Sequence, residues 1–222
     1  MTHPTESYRE QKREGCAGQA ASDSYGTVDV RGAAAPPIAR RLHNLIWTLR
    51  DRSFRNPPWP DRVDSLLFLC VGNICRSPFA ARLTARRLAE AGLTRIRCTS
   101  AGTQARPGFR PPSDAVQAAA AYGIDLEHHH PQLFNERLLK GHDVIFVMEP
   151  WQLAMLRRRF PAERRRFFLM PRFEVPPAAG AFERLHFVDP LHRGPQAFAD
   201  VYARIDRAVA PIVEQVAAQF GR

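Results

Sequence analysis

Ser65-Leu66-Leu67-Phe68-Leu69-Cys70 is an unbroken apolar run of strand length, and a stretch with helical character begins a few residues later. A short run without polar alternation reads as a strand buried on both faces, the situation of a parallel sheet covered by helices. The unit recurs along the chain. Ser77 to Ala91 reads as the helix after that strand, closed by Gly92 at its C-terminal cap. Ile96 to Ser100, ending in Ala101-Gly102, is a second strand. Ser113 to Tyr122 is a second helix, capped by Ser113, with Asp114 in its first turn and Gly123 as its stop. Asp143 to Met148 is a third strand, and Pro150 opens the helix after it. Phe167 to Met170 is a fourth, shorter strand, and a long final helix runs from about Pro195 to Phe220. The predicted fold class is α/β, a four-stranded, mostly parallel sheet with helices on both faces. Ligands of such sheets bind beyond the carboxyl ends of strands, which directs attention to the loop after Cys70.

The α/β pattern occupies residues 61–222 of a 222-residue chain. Residues 1–37 mix Ser, Thr, Gly, Ala and charge without period and include Ala33-Ala34-Ala35-Pro36-Pro37, so they are predicted to be a disordered tail. Residues 38–60 read as a basic amphipathic helix and a proline-rich linker. Ile38, Leu42, Leu45, Ile46 and Leu49 recur at helical spacing among Arg40, Arg41, Arg50 and Arg52, before Asn56-Pro57-Pro58-Trp59-Pro60. Such a helix either docks on the main domain or brings residues 38–50 to a membrane surface or a partner.

Met1 to Gln19 is polar and has no apolar stretch of the signal-peptide kind, and no apolar run approaches the ~18 residues that span a bilayer. Four cysteines do not make a disulfide scaffold in a chain this long. A cytoplasmic, reduced protein is expected. The formal net charge is +10, and every basic residue except Lys12 and Lys140 is arginine. Arg157-Arg158-Arg159 and Arg164-Arg165-Arg166 read first as solvated faces and second as sites for phosphates or acidic partners. Neither cluster has the interleaved aromatics of single-strand binders, so no nucleic-acid partner is expected.

The loop after the first strand reads Cys70-Val71-Gly72-Asn73-Ile74-Cys75-Arg76-Ser77-Pro78. Successive amides of a tight strand-to-helix loop converge into an anion-binding nest, and the positive end of the following helix points at the same place. Val71, Gly72, Asn73, Ile74 and Cys75 are therefore expected to bind substrate oxygens. Gly72 and Asn73 are residue types that tolerate the left-handed backbone such a loop requires. The planar fork of Arg76 suits two phosphate oxygens. The field of the nest favours the thiolate of Cys70, with a further hydrogen bond from Ser77. A thiolate beneath a bound phosphoryl group is a nucleophile in line with phosphorus. A zinc site wants four ligands, and Cys16 and Cys98 supply no second pair beside Cys70 and Cys75, so no metal or other cofactor is expected.

This segment resembles the signature of the low-molecular-weight protein tyrosine phosphatases, and the resemblance extends from about Ser65 to about Val216. Ser100-Ala101-Gly102-Thr103, Gly123-Ile124-Asp125, Val147-Met148-Glu149 and Asp189-Pro190 match further motifs in order. The resemblance implies hydrolysis of phosphotyrosine through a cysteinyl-phosphate on Cys70, without a metal. Asp189 is the implied donor of a proton to the leaving oxygen and later the base that activates water. It implies that Ser100 and His128 support Asn73, and that Cys75 either packs or forms a reversible disulfide with Cys70. Such enzymes often oppose tyrosine kinases that govern polysaccharide export, so a phosphotyrosine protein of that kind is the expected partner.

The chain departs from the family pattern around the loop. Pro78-Phe79-Ala80-Ala81 lacks the acidic residue that often follows Ser-Pro, and Leu191-His192 stands where many members carry tyrosines. Phe109 is a candidate wall of the substrate pocket, and Arg106 or Arg110 would favour an acidic peptide. Three other readings stand beside the main one. Thioredoxin-coupled arsenate reductases share the loop but use later cysteines, and none follows Cys98. Protein-arginine phosphatases usually have threonine where this chain has Ile74, whose apolar bulk suits an aryl phosphate better. The third is a phosphopeptide-binding relative without turnover.

Overall fold

The computed structural model describes residues 45–46 and 48–220. The predicted tail, and the helical positions Ile38 and Leu42, lie outside them. Four strands form the sheet: β1 (Ser65–Cys70), β2 (Arg97–Gly102), β3 (Val144–Val147) and β4 (Phe167–Leu169). Their order is β2-β1-β3-β4 and every neighbouring pair is parallel, so the sheet is wholly rather than mostly parallel. The helices packed with the sheet are α1 (Arg76–Glu90), α2 (Ser113–Ala120), α3 (Glu136–Lys140), α4 (Pro150–Arg159) and α5 (Pro195–Ala218).

The apolar strands divide their side chains between two cores with the two-residue period of extended chain. Leu66, Phe68 and Cys70 of β1, with Val144 and Phe146 of β3, pack against Phe79 and Leu83 of α1 and Tyr202, Ile205 and Val209 of α5. Leu67, Leu69, Ile145 and Val147 face the other way, against Leu138 and Leu139 of α3 and Leu153 and Leu156 of α4. Each fully buried Leu or Phe contributes roughly 1.5–3 kcal/mol. This double burial is what holds the end of β1 in place.

Two details differ from the sequence reading. Ser113 is the first residue of α2, and Pro112 holds the cap position without a side-chain hydrogen bond. Helix α3 was not expected. It spans five residues, too few to show a period, and starts where Asn135 Oδ1 accepts the Leu138 amide at 3.1 Å.

The edge strand β4 is covered by the segment before β1. Asn56 accepts the Leu169 amide at 2.6 Å and donates to the Leu169 carbonyl at 3.2 Å, as a neighbouring strand would. Trp59 sets its ring edgewise to Phe168, centroids 5.5 Å apart. Upstream, residues 45–46 and 48–50 are helical and run into a 3₁₀ turn, Asp51–Phe54. Among the described residues, no helix is long and apolar enough to cross a membrane.

Candidate active site

Cys70 ends β1, the strand from which the chain crosses to β2 on one side and later to β3 on the other. The carboxyl end of such a strand opens into the crevice where these sheets bind ligands. The loop must reverse within residues 71–75 to start α1 at Arg76. Asn73 makes the reversal, with φ +55°. Gly72, the other residue expected to be left-handed, has no positive φ.

Asn73 is fully buried, and its side chain ties four segments together. Its Nδ2 donates to Ser77 Oγ at 2.9 Å and to Ser100 Oγ at 2.8 Å. Its Oδ1 accepts the Gln132 amide at 2.8 Å. The loop carbonyls are held from outside, Cys70 O by the Thr103 amide at 3.0 Å and Val71 O by the Gln104 amide at 2.9 Å.

His129, not His128, supports Asn73. His129 Nε2 donates to the Asn73 carbonyl at 2.9 Å, whereas His128 is exposed. A turn in which the His129 amide donates to Leu126 O at 3.1 Å leaves residue 128 on its outer corner and swings 129 inward. Burial lowers the His129 pKa against the opposing effect of the hydrogen bond to Asn73, with Arg82, His130 and Arg110 adding to the fall. Donation to the Asn73 carbonyl requires a proton on Nε2.

The Cys70 sulfur is buried beside two donors. The Asn73 amide donates to Sγ at 3.2 Å, and Ser77 Oγ lies 2.9 Å away. Ser77 has one hydroxyl proton and a second acceptor, Ala101 O, at 3.3 Å. When Cys70 is a thiolate the sulfur can only accept, and the shorter contact becomes an O–H···S⁻ hydrogen bond. Cys75 differs: burial, then Asp189 and Cys70, push its thiol well above the ordinary cysteine range, so it stays protonated. Its carbonyl accepts from Tyr202 Oη at 3.2 Å.

Arg76 is 1 % exposed, and the chain surrounds it with acceptors. Nη1 donates to Glu149 Oε1 at 2.6 Å and to the Phe187 carbonyl at 2.8 Å, and Nη2 donates to Asp189 Oδ2. Burial opposes the cation but is outweighed by Asp189, Glu149 and Cys70, which together hold the guanidinium above its ordinary range. Its Nε–H is buried without a partner, a donor that an oxyanion in the loop would satisfy. Asp189 accepts the Leu191 amide on its other oxygen at 3.2 Å.

Glu149 was not among the predicted site residues, although it closes the Val147-Met148-Glu149 motif. It stands just before α4, where Gln152 Oε1 accepts its amide at 3.2 Å. Ile74 is nearly buried, and Phe109 is half-buried against the core cluster that contains Ile74, Cys70 and Cys75.

Gly102 controls the approach of β2 to the loop. A Cβ at this position would lie 2.4 Å from Val71 O and 2.8 Å from the Asn73 amide nitrogen. Backbone must move to admit it, and a misplacement near 1 Å costs about 10²-fold in rate. Gly102→Ala is therefore expected to lower kcat/KM on an aryl phosphate by about 10²-fold with an unchanged far-ultraviolet circular dichroism spectrum. A variant of wild-type activity would show that the loop tolerates the shift.

Comparison with known proteins gives this geometry its context. The family model for low molecular weight phosphotyrosine protein phosphatases matches residues 65–221, which takes in the sheet, the loop and Asp189. The chain belongs to this family. Among curated relatives, a probable low molecular weight protein-tyrosine-phosphatase EpsP of Ralstonia solanacearum is 32% identical over 156 residues, covering 70% of this chain and 98% of the relative. The low molecular weight protein-tyrosine-phosphatase Wzb of Escherichia coli K12 is 30% identical over 145 residues, 65% of this chain and 90% of the relative. Among solved structures, the tyrosine phosphatase Wzb of Escherichia coli K30 in complex with sulphate superimposes with a TM-score of 0.59 at 28% identity. That match covers 69% of this chain and 99% of the Wzb chain. The arginine phosphatase YwlE shares the fold at 21% identity, with a TM-score of 0.60 over 69% of this chain and 95% of its own. The phosphatase is a phosphoric monoester hydrolase of the protein-tyrosine class, and the family match begins at the first residue of β1.

Proposed function

We propose that Cys70, Arg76 and Asp189 carry the phosphatase reaction, and that the enzyme acts in the cytoplasm on phosphotyrosine in proteins. The phosphoryl oxygens take the amides of residues 71–75 and the Arg76 fork, including the buried Nε–H. Binding there draws Arg76 from Asp189 and frees the carboxyl group for proton transfer. Cys70 Sγ attacks phosphorus, the P–O bond to the tyrosyl oxygen breaks, and Asp189 delivers its proton to that oxygen. Water then attacks the cysteinyl-phosphate, its proton passes to Asp189, and the S–P bond breaks to return the thiolate and inorganic phosphate. Charge developing on the phosphoryl oxygens meets a guanidinium and aligned N–H groups already in position.

The observation that carries this reading is the Cys70 sulfur between the Asn73 amide and the Ser77 hydroxyl, with the orphan Arg76 donor in the same loop. The sulphate in the Wzb relative supports an oxyanion in the equivalent fold. Tyrosine kinases of polysaccharide export are the substrate proteins that the family resemblance favours. The apolar Ile74 in the loop supports an aryl ester over phosphoarginine.

The test is a panel of phosphotyrosine, phosphoserine and phosphoarginine peptides, assayed with EDTA and with vanadate, for the wild type and Asp189→Asn. Phosphotyrosine is expected to be preferred, EDTA to be without effect and vanadate to inhibit. Asp189→Asn is expected to lower kcat by about 10²–10⁴-fold, the usual worth of a general acid. Preference for phosphoarginine, or turnover that requires a divalent metal, would overturn the assignment.

A further inference from the structure

We propose that the segment before β1 and the arginines beside β4 together form a docking surface for an anionic lipid bilayer. The family match starts at residue 65, so residues 45–64 lie outside the portion that the phosphatase family accounts for. Asn56 of this segment nevertheless bonds the outer edge of β4, donating to the Leu169 carbonyl and accepting its amide. With β3 between β4 and β1, this flank is separate from the phosphate loop.

The helical turn there presents apolar side chains to solvent. Leu45 is 53 % exposed, Ile46 41 % and Leu49 71 %, three of the six large hydrophobics exposed to this degree among the described residues. Their i, i+1, i+4 spacing puts them on one helix face. Exposed aliphatics on one helix face are stabilised by entry into the headgroup–acyl boundary.

Arginines of α4 and of the chain after it meet the segment that follows this turn. Arg52 and Arg55 are exposed just downstream. Arg157 of α4 donates to the Arg55 carbonyl at 3.0 Å and to the Phe167 carbonyl at 3.2 Å, joining this segment to the end of α4. Exposed Arg158, Arg159, Arg164 and Arg165 follow. The acidic groups nearby are taken up: Asp51 pairs with Arg172 at 2.9 Å and Glu163 with Arg166 at 2.8 Å. Burial, with Arg164 and Arg172 close by, lowers the Arg157 pKa, as expected where cations crowd together.

Aliphatics next to cations match a surface that offers both hydrocarbon and phosphate. Nucleic acid would leave the leucines unused, and an acidic protein would need an apolar pocket for each. Near an anionic leaflet the arginines supply a salt-dependent attraction, and the aliphatics supply the second, salt-independent anchor.

The experiment is co-sedimentation of the full chain with phosphatidylcholine vesicles and with phosphatidylcholine–phosphatidylglycerol vesicles, at low and physiological ionic strength. Binding to the anionic vesicles alone is expected. Leu45→Gln/Leu49→Gln, which keeps the net charge, is expected to bind at least about tenfold more weakly. Arg52→Gln/Arg55→Gln is expected to weaken binding and flatten its salt dependence. Aryl phosphatase turnover without vesicles should be unchanged in both variants, which reports that they are folded. Absence of binding to anionic vesicles overturns the proposal. So does equal binding by the leucine variant, which would make it an effect of overall charge. A change of oligomeric state in the leucine variant, with lipid binding retained, would assign the face to a second copy of the chain.

Discussion

Cys70→Ser should remove aryl phosphate hydrolysis by on the order of 10⁴-fold or more, the scale on which loss of a nucleophile acts. The substitution is nearly isosteric at a position packed between Ser77 Oγ and the Asn73 amide, so the loop has no cause to rearrange. What changes is the nucleophile. A serine hydroxyl stays un-ionised at neutral pH and has no general base beside it, because Ser77 and the Asn73 amide are donors to the thiolate. The oxyanion site should survive. Inorganic phosphate or vanadate is expected to bind Cys70→Ser with an affinity within about tenfold of the wild type, by calorimetry, since Arg76 and the loop amides are untouched. Initial rates and this titration together separate a lost nucleophile from a damaged site. A serine variant that retains a tenth of the wild-type rate would remove Cys70 from the chemistry.

The largest effect on stability is expected from Glu174→Ala. The Glu174 side chain is fully buried, and two arginines of α5 converge on it. Arg204 Nη2 donates to Oε2 at 2.7 Å, and Arg207 Nη2 to Oε1 at 2.6 Å. Arg204 also donates to the carbonyls of Glu183 and His186, at 2.5 and 2.8 Å, and lies over the Phe187 ring at 5.1 Å. This clamp therefore holds the stretch leading to Asp189, and the Phe187 carbonyl in turn accepts from Arg76.

Removing one partner of a buried ion pair costs about 3–5 kcal/mol, because the other charge is left uncompensated. Arg207 is partly exposed, which screens its share and favours the lower end of that range. At roughly 2–4 °C per kcal/mol for a chain of this size, Tm should fall by about 6–20 °C in a thermal melt. Glu174→Gln, which retains an acceptor, should fall less. A Tm unchanged by Glu174→Ala would show that the two arginines are satisfied by water.

The strands and the phosphate loop were legible in the sequence because their determinants are local. Four fully apolar residues in β1 admit only two-sided burial, and the cysteine, arginine and serine of the site lie within eight consecutive residues, 70–77. What was missed depends on contacts far along the chain. Glu149 and Asp189 meet Arg76 across 73 and 113 residues, and no local pattern links them. Family resemblance supplied Asp189 and did not single out Glu149. Within His128-His129-His130 the three side chains are chemically identical, and only the turn from Leu126 decides which one faces Asn73. Gly102 reads locally as a strand end; its need for a bare α-carbon arises from the loop that packs on it. Helix α3 was illegible because five residues carry no period, and its cap, Asn135, resembles any loop asparagine.

Turnover by the proposed mechanism passes through a covalent bond between the Cys70 sulfur and phosphorus. The most direct measurement is rapid quench of Asp189→Asn turning over 2,4-dinitrophenyl phosphate, whose phenolate leaves without a proton from residue 189, followed by mass spectrometry of the intact chain and its Cys70 peptide. The amide cannot accept a proton from water, so the intermediate should accumulate, and the phosphate should be found on Cys70. A phosphate found on another side chain, or none at any time while product forms, would contradict the account.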